Sequence, residues 1–430
     1  MIRAIKRASS SVQKSSCSIQ NLDGFLNLKY SQPENTIAIG DNIVFLRDLK
    51  SNFAQFDVIY IDPPYNTGNK FSYNDKRTAD DWISFMSERL KFAKTILNND
   101  GVIFISIDDS SLYELKITCD DIFGKNNFLG IFITKQAVRS NSTHINTIHE
   151  YVVSYAKDKK QLKKFQIKRL NNPNDAPMIK DISNKVKKEF QFSGKKSAEK
   201  LLAKLNADYM DKKGITWLNN YSTVDKKGEI FFPKDLSVPG TPAELVIEEI
   251  NLKLPALRTR KWSSPKKIIK LHNENKLHFK GNRPYEIHYL KDACDNVSSI
   301  LDFYSRHGTN DLNKLGLRNL FDTPKPVELI KHLIRISTNR KDNARILDFF
   351  AGSGTTGQAV MEINCEDGKN HYFYLSQLDE KISKDTEQYK FAINNKIEPT
   401  VDQLMIHRLN VVKNKLHFDK DFKIIRVGEL

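Results

Sequence analysis

The 430-residue sequence has few cysteines and lacks any long apolar run. Its four cysteines lie far apart and form no C-x-x-C pair, so neither a disulfide framework nor a zinc site is indicated. No stretch approaches about 18 apolar residues, which excludes a membrane-spanning helix. The patterns G-x-x-x-x-G-K-[ST] and H-E-x-x-H are also missing, so we expect no P-loop and no zinc-protease site. These absences favour a protein of a reducing compartment that needs no metal ion.

Basic residues outnumber acidic ones along the chain. The sequence has 68 Lys and Arg against 52 Asp and Glu, which gives a formal net charge of +16 at pH 7. Such a balance favours a polyanionic partner, with nucleic acid first, although a solvated lysine-rich surface would have the same composition. The length exceeds that of one typical domain and predicts two or three.

Residues 1–34 are predicted to form a basic, flexible arm ahead of the first folded segment. The arm begins with 22 residues that contain four basic side chains and no acidic one. A similar composition is typical of organellar transit peptides, which we keep as the alternative interpretation.

The most informative motif is Asp62-Pro63-Pro64-Tyr65. It follows Phe56–Ile61, where β-branched and aromatic residues predict a buried strand. The carboxylate is therefore expected at the C-terminal end of a strand, where open α/β sheets build their sites. The prolines stiffen the turn and offer carbonyl acceptors, and the tyrosine offers a flat ring. This set suits a flat substrate that carries an amine, and the alternative is a tight turn without a ligand.

Strands and helices alternate along most of the sequence, which predicts an α/β fold with a mostly parallel sheet and helical crossovers. The predicted strands are 36–41, 56–61, 102–107, 149–156 and 345–350, and the predicted helices are 42–49, 80–97 and one that starts after Pro326. The composition changes between the strand at 149–156 and the helix after Pro326. Residues 157–200 hold fourteen Lys and Arg against five acids. We therefore predict an inserted second domain over 157–315.

A second motif, Gly352-x-Gly354-x-x-Gly357, lies between a predicted strand and a predicted helix. Glycines let a ligand approach the backbone at a helix N-terminus, and the pattern also matches the dinucleotide fingerprint of NAD enzymes. Asp348, at the strand end before the loop, suits a cationic or hydroxylated ligand better than a pyrophosphate. That favours S-adenosylmethionine, which carries a ribose, an ammonium and a sulfonium but no phosphate. A glycine turn without a ligand is the third interpretation.

The order of the two motifs, with a basic segment between them, resembles that of the beta-class DNA amino-methyltransferases. The nearest likeness is to the modification (Mod) subunit of type III restriction–modification systems. It covers roughly 35–155 and 320–430, and the motifs that carry it are Ile39-Gly40-Asp41-Asn42, Tyr60 to Lys70, His149-Glu150-Tyr151 and Thr323 to Leu329. The resemblance implies a methyltransferase Rossmann-like sheet with circularly permuted motif order. It implies a catalytic half at 35–156, a DNA-recognition domain at 157–315 and a cofactor-binding half at 316–430.

The resemblance implies methyl transfer from S-adenosylmethionine to the exocyclic N6 amine of adenine in duplex DNA, after the base has flipped out of the helix. The implied catalytic residues are Asp62, Pro63, Pro64 and Tyr65, with the Asp62 carboxylate and the Pro63 carbonyl accepting from the amine and Tyr65 stacking on the base. The implied cofactor-binding residues are Asp41, Lys325, Pro326, Asp348, Phe350, Gly352, Ser353, Gly354, Thr355 and Gln377. The residues expected to contact DNA are Asn66, Lys70, Lys163, Lys164, Lys168 and Arg169.

The sequence departs from the family pattern at Gln377, where an acid commonly binds the cofactor ribose. A neutral glutamine oxygen can still accept that hydrogen bond. The chain is also short for a type III subunit, so a solitary methyltransferase is an alternative. We expect a homodimer in a bacterial cytoplasm and, because no nuclease or helicase motif is visible, a separate restriction subunit as a possible partner. Cytosine as the target, an RNA or protein-glutamine methyltransferase, and a non-catalytic DNA-binding relic remain open.

Overall fold

A computed structural model describes residues 32–66, 78–136, 144–172, 175–339 and 341–428. Most of the predicted basic arm, the loop after the Asp-Pro-Pro-Tyr motif and Lys70 lie outside these residues. The chain divides into two units, one formed by Met1–Phe165 with Val297–Leu430 and the other by Gln166–Asn296. No helix within the described ranges has the length and apolarity that crossing a membrane requires.

The first part of the chain alternates between strands and helices, as predicted. Its elements are β1 (Asn35–Ile39), α1 (Asn42–Ser51), β2 (Phe56–Ile61), α2 (Ala79–Ile96), β3 (Leu97–Ile107), α3 (Leu112–Phe123), β4 (Phe128–Lys135) and β5 (His149–Ala156). One boundary differs from the prediction, which ended the helix at 97 and began the next strand at 102. In the structure β3 begins at Leu97, because Leu97 pairs with Phe56. The polar residues between Leu97 and Val102 lie at an irregularity in the register, after which Val102 pairs with Val58.

The second unit contains one long helix and several short strands. Its elements are β6 (Gln166–Lys168), α4 (Ala176–Lys213), β7 (Thr223–Val224), β8 (Ile230–Asp235), β9 (Ser237–Val238), β10 (Leu245–Ile247), β11 (Leu252–Leu254), β12 (Lys261–Trp262), α5 (Pro265–Asn273), β13 (Leu277–Lys280), β14 (Arg283–Tyr289) and β15 (Cys294–Asn296). Gly194, at φ 77°, interrupts the helical backbone of α4. A four-stranded antiparallel sheet has the order β13-β14-β8-β7. Separate buried clusters form around Ile182 and around Trp262, so this unit has apolar cores of its own.

The last part of the chain returns to the first unit. Its elements are β16 (Ile300–Tyr304), α6 (Arg306–Lys314), α7 (Val327–Thr338), β17 (Arg345–Asp348), α8 (Thr355–Asp367), β18 (Tyr372–Gln377), α9 (Glu387–Asn394), α10 (Val401–Leu416) and β19 (Phe422–Arg426). The predicted insert, 157–315, is wider than the second unit. Its ends belong to the first unit, because β16 pairs with β4 at the edge of the large sheet.

The large sheet has nine strands in the order β16-β4-β5-β3-β2-β17-β18-β1-β19. Its neighbours are parallel except around β5, which runs antiparallel to both β3 and β4. The predicted α/β fold with a mostly parallel sheet is therefore confirmed. The central strands are fully buried and rich in Val, Ile and Leu, as expected for a sheet covered on both faces.

The pairing of β2 with β17 positions the site. Ile346 pairs with Val58 and Leu347 with Ile59 in a parallel register. The C-terminal ends of the two strands therefore lie at the same edge of the sheet. This register brings the Asp62 turn and the glycine loop after Asp348 together, although they are far apart in the sequence.

Candidate active site

A cavity of about 250 Å³ lies at the C-terminal ends of β2 and β17. Most residues predicted for catalysis or cofactor binding line it, namely Asp41, Asp62, Pro64, Lys325, Asp348, Phe350, Gly352, Ser353, Thr355 and Gln377. Four predicted residues lie outside this lining, namely Pro63, Tyr65, Pro326 and Gly354. The two motifs identified from the sequence therefore form one site.

Asp62 belongs to a cluster of polar side chains drawn from three parts of the first unit. The Tyr65 hydroxyl donates to Asp62 Oδ1 at 2.8 Å. Lys325 Nζ lies 2.6 Å from Tyr65 Oη, 2.9 Å from Glu150 Oε2 and 3.2 Å from Asp62 Oδ1. The Asp62 side chain is 28% exposed, whereas Lys325 and Glu150 are largely buried. Lys325 was predicted to bind the cofactor, and in the structure its ammonium contacts Asp62 and Tyr65, two of the residues predicted to be catalytic.

Burial and charge shift the acid–base properties of this cluster. Burial raises the pKa of Asp62, the Lys325 charge opposes that shift, and the Glu150 charge adds to it. Burial alone would lower the pKa of Lys325, but the Asp62 and Glu150 carboxylates raise it well above its ordinary value. Burial would likewise raise the pKa of Glu150, but Lys325 holds it below its usual range. Lys325 and Glu150 are therefore an ion pair at neutral pH, beside a carboxylate of increased basicity.

Hydrogen bonds from neighbouring elements hold the Asp-Pro-Pro-Tyr turn in place. Trp82 Nε1, on α2, donates to the Pro64 carbonyl at 2.7 Å. The hydroxyls of Ser110 and Ser111 donate to the Tyr65 carbonyl at 3.1 and 3.0 Å. Two of the carbonyls in the motif are thus used within the protein. The predicted roles of the Pro63 carbonyl as an acceptor and of the Tyr65 ring as a stacking partner stay predictions.

Asp348 organises the start of the glycine loop. Its Oδ1 accepts from the Phe350 N–H at 3.0 Å and its Oδ2 accepts from the Thr356 hydroxyl at 2.6 Å. The side chain is buried, and this burial raises the pKa of Asp348 to about 7, with a contribution from the Asp62 charge. Asp348 therefore shapes the loop and places a titratable acid in the cavity wall.

A buried arginine supports the glycine loop from behind. Arg408, on α10, donates to the hydroxyls of Ser353 and Thr355 at 2.7 and 3.0 Å and to Gln358 Oε1 at 2.9 Å. Ser353 and Thr355 line the cavity, and their hydroxyl oxygens lie 3.3 Å apart, so one hydroxyl donates to the other while both accept from Arg408. Gln377 Oε1 accepts from the Gly352 N–H at 2.8 Å, so the residue that replaces the family acid also helps to hold the loop.

Asp41 lies at the part of the cavity formed by α1 and α2. Its Oδ1 caps α1 by accepting from the Ile43 N–H and pairs with Arg89 Nη2 at 3.0 Å. The guanidinium of Arg89 lies 3.6 Å from the ring centroid of Phe85, whose own centroid is 5.9 Å from that of Phe350. This wall of aromatic rings and a paired acid suits a flat heterocycle that presents hydrogen-bond donors.

Packing explains why two predicted cofactor residues lie outside the cavity lining. Gly354 has φ 78°, and a Cβ there would lie 2.8 Å from Met405 Cγ, so this glycine allows α8 and α10 to approach. Pro326 is buried and caps α7, while the neighbouring Pro324 lines the cavity instead. Both positions shape the elements around the cavity, and their predicted contact with the ligand stays a prediction.

The residues predicted to contact DNA are in different environments. Lys163, Lys164 and Lys168 are exposed. Arg169 pairs with Asp175 at 2.8 Å and with Asp295 at 3.0 Å, and its guanidinium lies 4.0 Å from the Trp217 ring centroid. These contacts favour a structural role for Arg169 within the second unit. Asn66, directly after the Asp-Pro-Pro-Tyr motif, adopts a left-handed backbone conformation at φ 62°.

Sequence reasoning assigned no role to Glu150, Arg89 or Arg408. Glu150 was noted only as part of a motif that resembles the family. A signal was present, because Glu150 lies near the start of a strand whose later residues are buried, and a buried acid is costly unless it has a partner. Arg89 and Arg408 lie on amphipathic helices, where a single charge gives no such signal. The partners of all three become visible only in the folded chain.

The permuted sheet and the cavity at its edge place the chain among the α/β methyltransferases. Residues 56–388 match a model for N6 and N4 methyltransferases described as DNA methylase, which spans more than half of the sequence. The chain therefore belongs to this DNA methylase family, and the resemblance inferred from the motifs is confirmed.

Curated relatives include subunits of restriction–modification systems. The chain is 28% identical to the Mod subunit of the type III restriction-modification enzyme EcoP15I from Escherichia coli, over 90% of this chain and 64% of that protein. It is 30% identical to the StyLTI Mod subunit from Salmonella typhimurium, over 89% and 57%. It is 29% identical to the type II methyltransferase M.KpnI from Klebsiella pneumoniae, over 95% and 94%. The chain thus spans 57–64% of the length of these two type III subunits.

Solved structures that align with the chain are more distant in sequence. The PvuII DNA methyltransferase, which is cytosine-N4-specific, aligns with a TM-score of 0.40 and 10% identity over 91% of this chain and 96% of its own. The M1.HpyAVI–SAM complex aligns with a TM-score of 0.36 and 12% identity, over 84% and 98%.

Proposed function

We propose that the chain transfers a methyl group from S-adenosylmethionine to the exocyclic N6 amine of adenine in duplex DNA. The observation that carries this proposal is that Asp62 and Asp348 line one cavity, because β2 and β17 are parallel neighbours. An acceptor for an amine and a glycine loop for a cofactor are thus on the same edge of the sheet, as a direct transfer between two bound molecules requires.

The charges around the cavity fit a cationic cofactor. Four acids line it, and its two basic residues, Arg89 and Lys325, are each held by carboxylates. This distribution suits the ammonium and sulfonium of S-adenosylmethionine and is unfavourable for the pyrophosphate of NAD. Bound there, the cofactor would supply an electrophilic methyl group. Asp41, Gln377 and the loop at Gly352, which line the cavity, would hold it.

Asp62 would perform the central chemical task. The lone pair of the adenine amine is delocalised into the ring, so the nitrogen is a poor nucleophile. A carboxylate that accepts from the amine favours a pyramidal nitrogen and stabilises the positive charge that develops during transfer. The increased basicity of Asp62 also makes it a suitable acceptor for the proton that the amine loses.

DNA as the substrate is supported by family membership, and adenine as the base is supported by the acid at the first motif position. Cytosine N4 is the alternative, since the matching family model covers N4 as well as N6 methyltransferases. In either case the base must leave the duplex to reach the cavity, at a cost of a few kcal/mol. The net charge of +16 favours binding to the phosphate backbone.

We also propose that the chain acts within a restriction–modification system. Four relatives are named as Mod subunits of type III enzymes, one of them as probable, which supports a separate restriction subunit as a partner. M.KpnI, a type II methyltransferase aligned over 94% of its length, supports a solitary methyltransferase instead. A homodimer stays a prediction.

The test is a methyl-transfer assay with tritiated S-adenosylmethionine and duplex DNA, RNA or protein as acceptor. We expect label in DNA alone, and N6-methyladenine when the product is hydrolysed and separated by chromatography. Asp62→Ala should abolish transfer while DNA binding remains. N4-methylcytosine as the product would overturn the choice of base, and full activity of Asp62→Ala would overturn the site.

A further inference from the structure

We propose that Lys325 and Glu150 act as a pair that sets the proton affinity of Asp62. The charge of Lys325 keeps the Asp62 carboxylate ionised. The contact between Glu150 and Lys325 prevents a tight ion pair between Lys325 and Asp62 that would make Asp62 a weak proton acceptor. The inference rests on the proposed function, because it assigns two positioning residues to the same reaction. It goes beyond that function by explaining how a carboxylate in a largely buried cluster stays available to an amine.

The geometry shows how Lys325 is shared. An ammonium has three N–H donors, and Lys325 has three oxygen partners, on Tyr65, Glu150 and Asp62. The shorter of its two carboxylate contacts is to Glu150, at 2.9 Å against 3.2 Å for Asp62. Glu150 is itself positioned by Gln136, whose side-chain amide donates to Oε1. Lys325 is therefore anchored to Glu150 and makes the weaker contact with Asp62.

The contacts on Asp62 leave one oxygen for the substrate. Both the Tyr65 hydroxyl and the Lys325 ammonium reach Oδ1. Among the described residues no hydrogen bond or ion pair is directed to Oδ2. The target amine could therefore approach Oδ2 while Lys325 and Tyr65 keep the carboxylate oriented through Oδ1.

Charge balance explains why both members of the pair are needed. Asp62 and Glu150 both contact Lys325 Nζ, and without that cation two neighbouring carboxylates with little access to solvent would share a proton. An Asp62 protonated in this way could not accept from the amine through that oxygen. If Lys325 were present without Glu150, the proton affinity of Asp62 would instead be too low, because a tight ion pair with Lys325 would make Asp62 a weak proton acceptor. Asp62, Glu150 and Lys325 together carry one net negative charge. Asp62 is therefore neither protonated by sharing a proton with Glu150 nor made a weak acceptor by a tight ion pair with Lys325.

Other groups also face Asp62 and must be separated from the effect. They are Tyr60 on β2, Tyr65 in the same turn and Asp348 at the end of β17. The two tyrosines have pKa values raised well above the ordinary value by burial, so they stay protonated across the working pH range. Asp348 lies at the cofactor loop, so its titration should affect cofactor binding. Measuring kcat at saturating cofactor and DNA therefore isolates the Asp62 cluster.

The two substitutions of the pair should shift the pH profile of kcat in opposite directions. Lys325→Met leaves two neighbouring carboxylates, so the acidic limb should move to higher pH by about 1 pH unit or more. Glu150→Gln removes the competitor for Lys325, so the acidic limb should move to lower pH and the plateau should fall. Lys325→Arg keeps the charge and should leave the limb close to that of the unsubstituted protein.

A matched control is Lys341→Met, which removes another lysine that bridges two carboxylates. Lys341 Nζ lies 2.6 Å from Asp57 Oδ1 and 3.0 Å from Asp100 Oδ1, and none of these three residues lines the cavity. The acidic limb of the pH profile of kcat should not move in Lys341→Met. Shifts of Lys325→Met and Glu150→Gln in the same direction, or no shift in either, would overturn the inference.

A second measurement needs no turnover and therefore separates this inference from the proposed function. Infrared difference spectra across a pH titration report the C=O stretch of a protonated carboxyl, and Asp62→Asn identifies the Asp62 band. The band should appear at higher pH in Lys325→Met and at lower pH in Glu150→Gln. Opposite shifts in a protein that methylates no nucleic acid would support the pair and overturn the function. Unchanged bands in a protein that methylates DNA would support the proposed function and overturn the role of the pair.

Discussion

Thr356 donates its hydroxyl proton to Asp348 Oδ2 at 2.6 Å, which joins the first turn of α8 to the end of β17. The same carboxyl accepts from the Phe350 N–H at 3.0 Å. Burial nevertheless raises the pKa of Asp348 to about 7, so the cofactor side of the cavity contains an acid that titrates near neutral pH.

Binding of S-adenosylmethionine should weaken as the pH falls below about 7. Asp348 is charged above this pH and attracts a cation, whereas its protonated form does not. The dissociation constant should rise by up to about tenfold per pH unit, which calorimetry at pH 6 and pH 8 would show. Asp348→Asn should bind weakly with no such dependence. An equal dependence in Asp348→Asn would assign the titration to another group.

Gln377→Glu should strengthen cofactor binding. The substituted carboxylate would keep an oxygen for the Gly352 N–H and add a charge toward ribose hydroxyls, and charged acceptors form stronger hydrogen bonds than neutral ones. The expected gain is about 1 kcal/mol, or a several-fold lower dissociation constant by calorimetry. Gln377→Leu should bind more weakly than either. A Gln377→Glu variant that binds no tighter than the unsubstituted protein would place the ribose elsewhere.

Gly354→Ala should destabilise the protein more than Gly368→Ala. Both glycines have positive φ, at 78° and 63°, and they flank the two ends of α8. A Cβ at Gly354 meets Met405 Cγ at 2.8 Å, whereas a Cβ at Gly368 meets nothing within 4 Å. Backbone strain alone should cost Gly368→Ala roughly 1 kcal/mol, and overpacking should bring Gly354→Ala to about 3 kcal/mol. Equal losses in chemical denaturation would contradict the packing role.

Lys331→Met should lower the free energy of unfolding by about 1–2 kcal/mol, because the lysine is buried but two of its three carboxylate partners are about half exposed. The Lys331 side chain is 3% exposed, and Nζ lies 2.7–3.0 Å from carboxylates of Glu328, Glu362 and Glu366. These acids are close enough together to ligate a metal ion, but Lys331 already supplies the cation. Lys390→Met breaks an exposed pair with Glu387 and should leave the denaturation midpoint unchanged. Equal midpoints for both variants would rule out the ion pairs of Lys331 as a stabilising element.

Exposed lysines and Arg169 should respond differently to substitution. Lys163, Lys164 and Lys168 are exposed, so replacing all three with Ala should leave the melting temperature close to its original value, weaken DNA binding and reduce its salt dependence. Arg169→Ala should instead lower the melting temperature, because it leaves Asp175 and Asp295 without their shared cation. Fluorescence anisotropy across salt concentrations, with thermal melting in parallel, separates the two effects. A triple variant that binds DNA as tightly as before would remove these lysines from the interface.

Local patterns were sufficient for the elements that carry the chemistry. The strand before Asp62 was predicted with its observed bounds, and the helix after Pro326 is present where Pro was expected near its first turn. These predictions succeeded because apolar strand cores and proline positions depend on nearby residues alone. The insert boundaries were less accurate, because a short edge strand such as β16 shows in the sequence only as a few apolar residues.

The sequence by itself determined which residue types line the cavity, namely an acid on a stiff turn and a glycine loop, together with the strands that lead to both. Only the tertiary structure decided which charges share the space around them. Lys325 reaches Tyr65 across 260 positions of sequence, and Glu150 arrives on β5, which runs antiparallel to its neighbours β3 and β4. Such pairings depend on the order and register of strands, which result from burying all the apolar faces together. A local sequence pattern does not encode them.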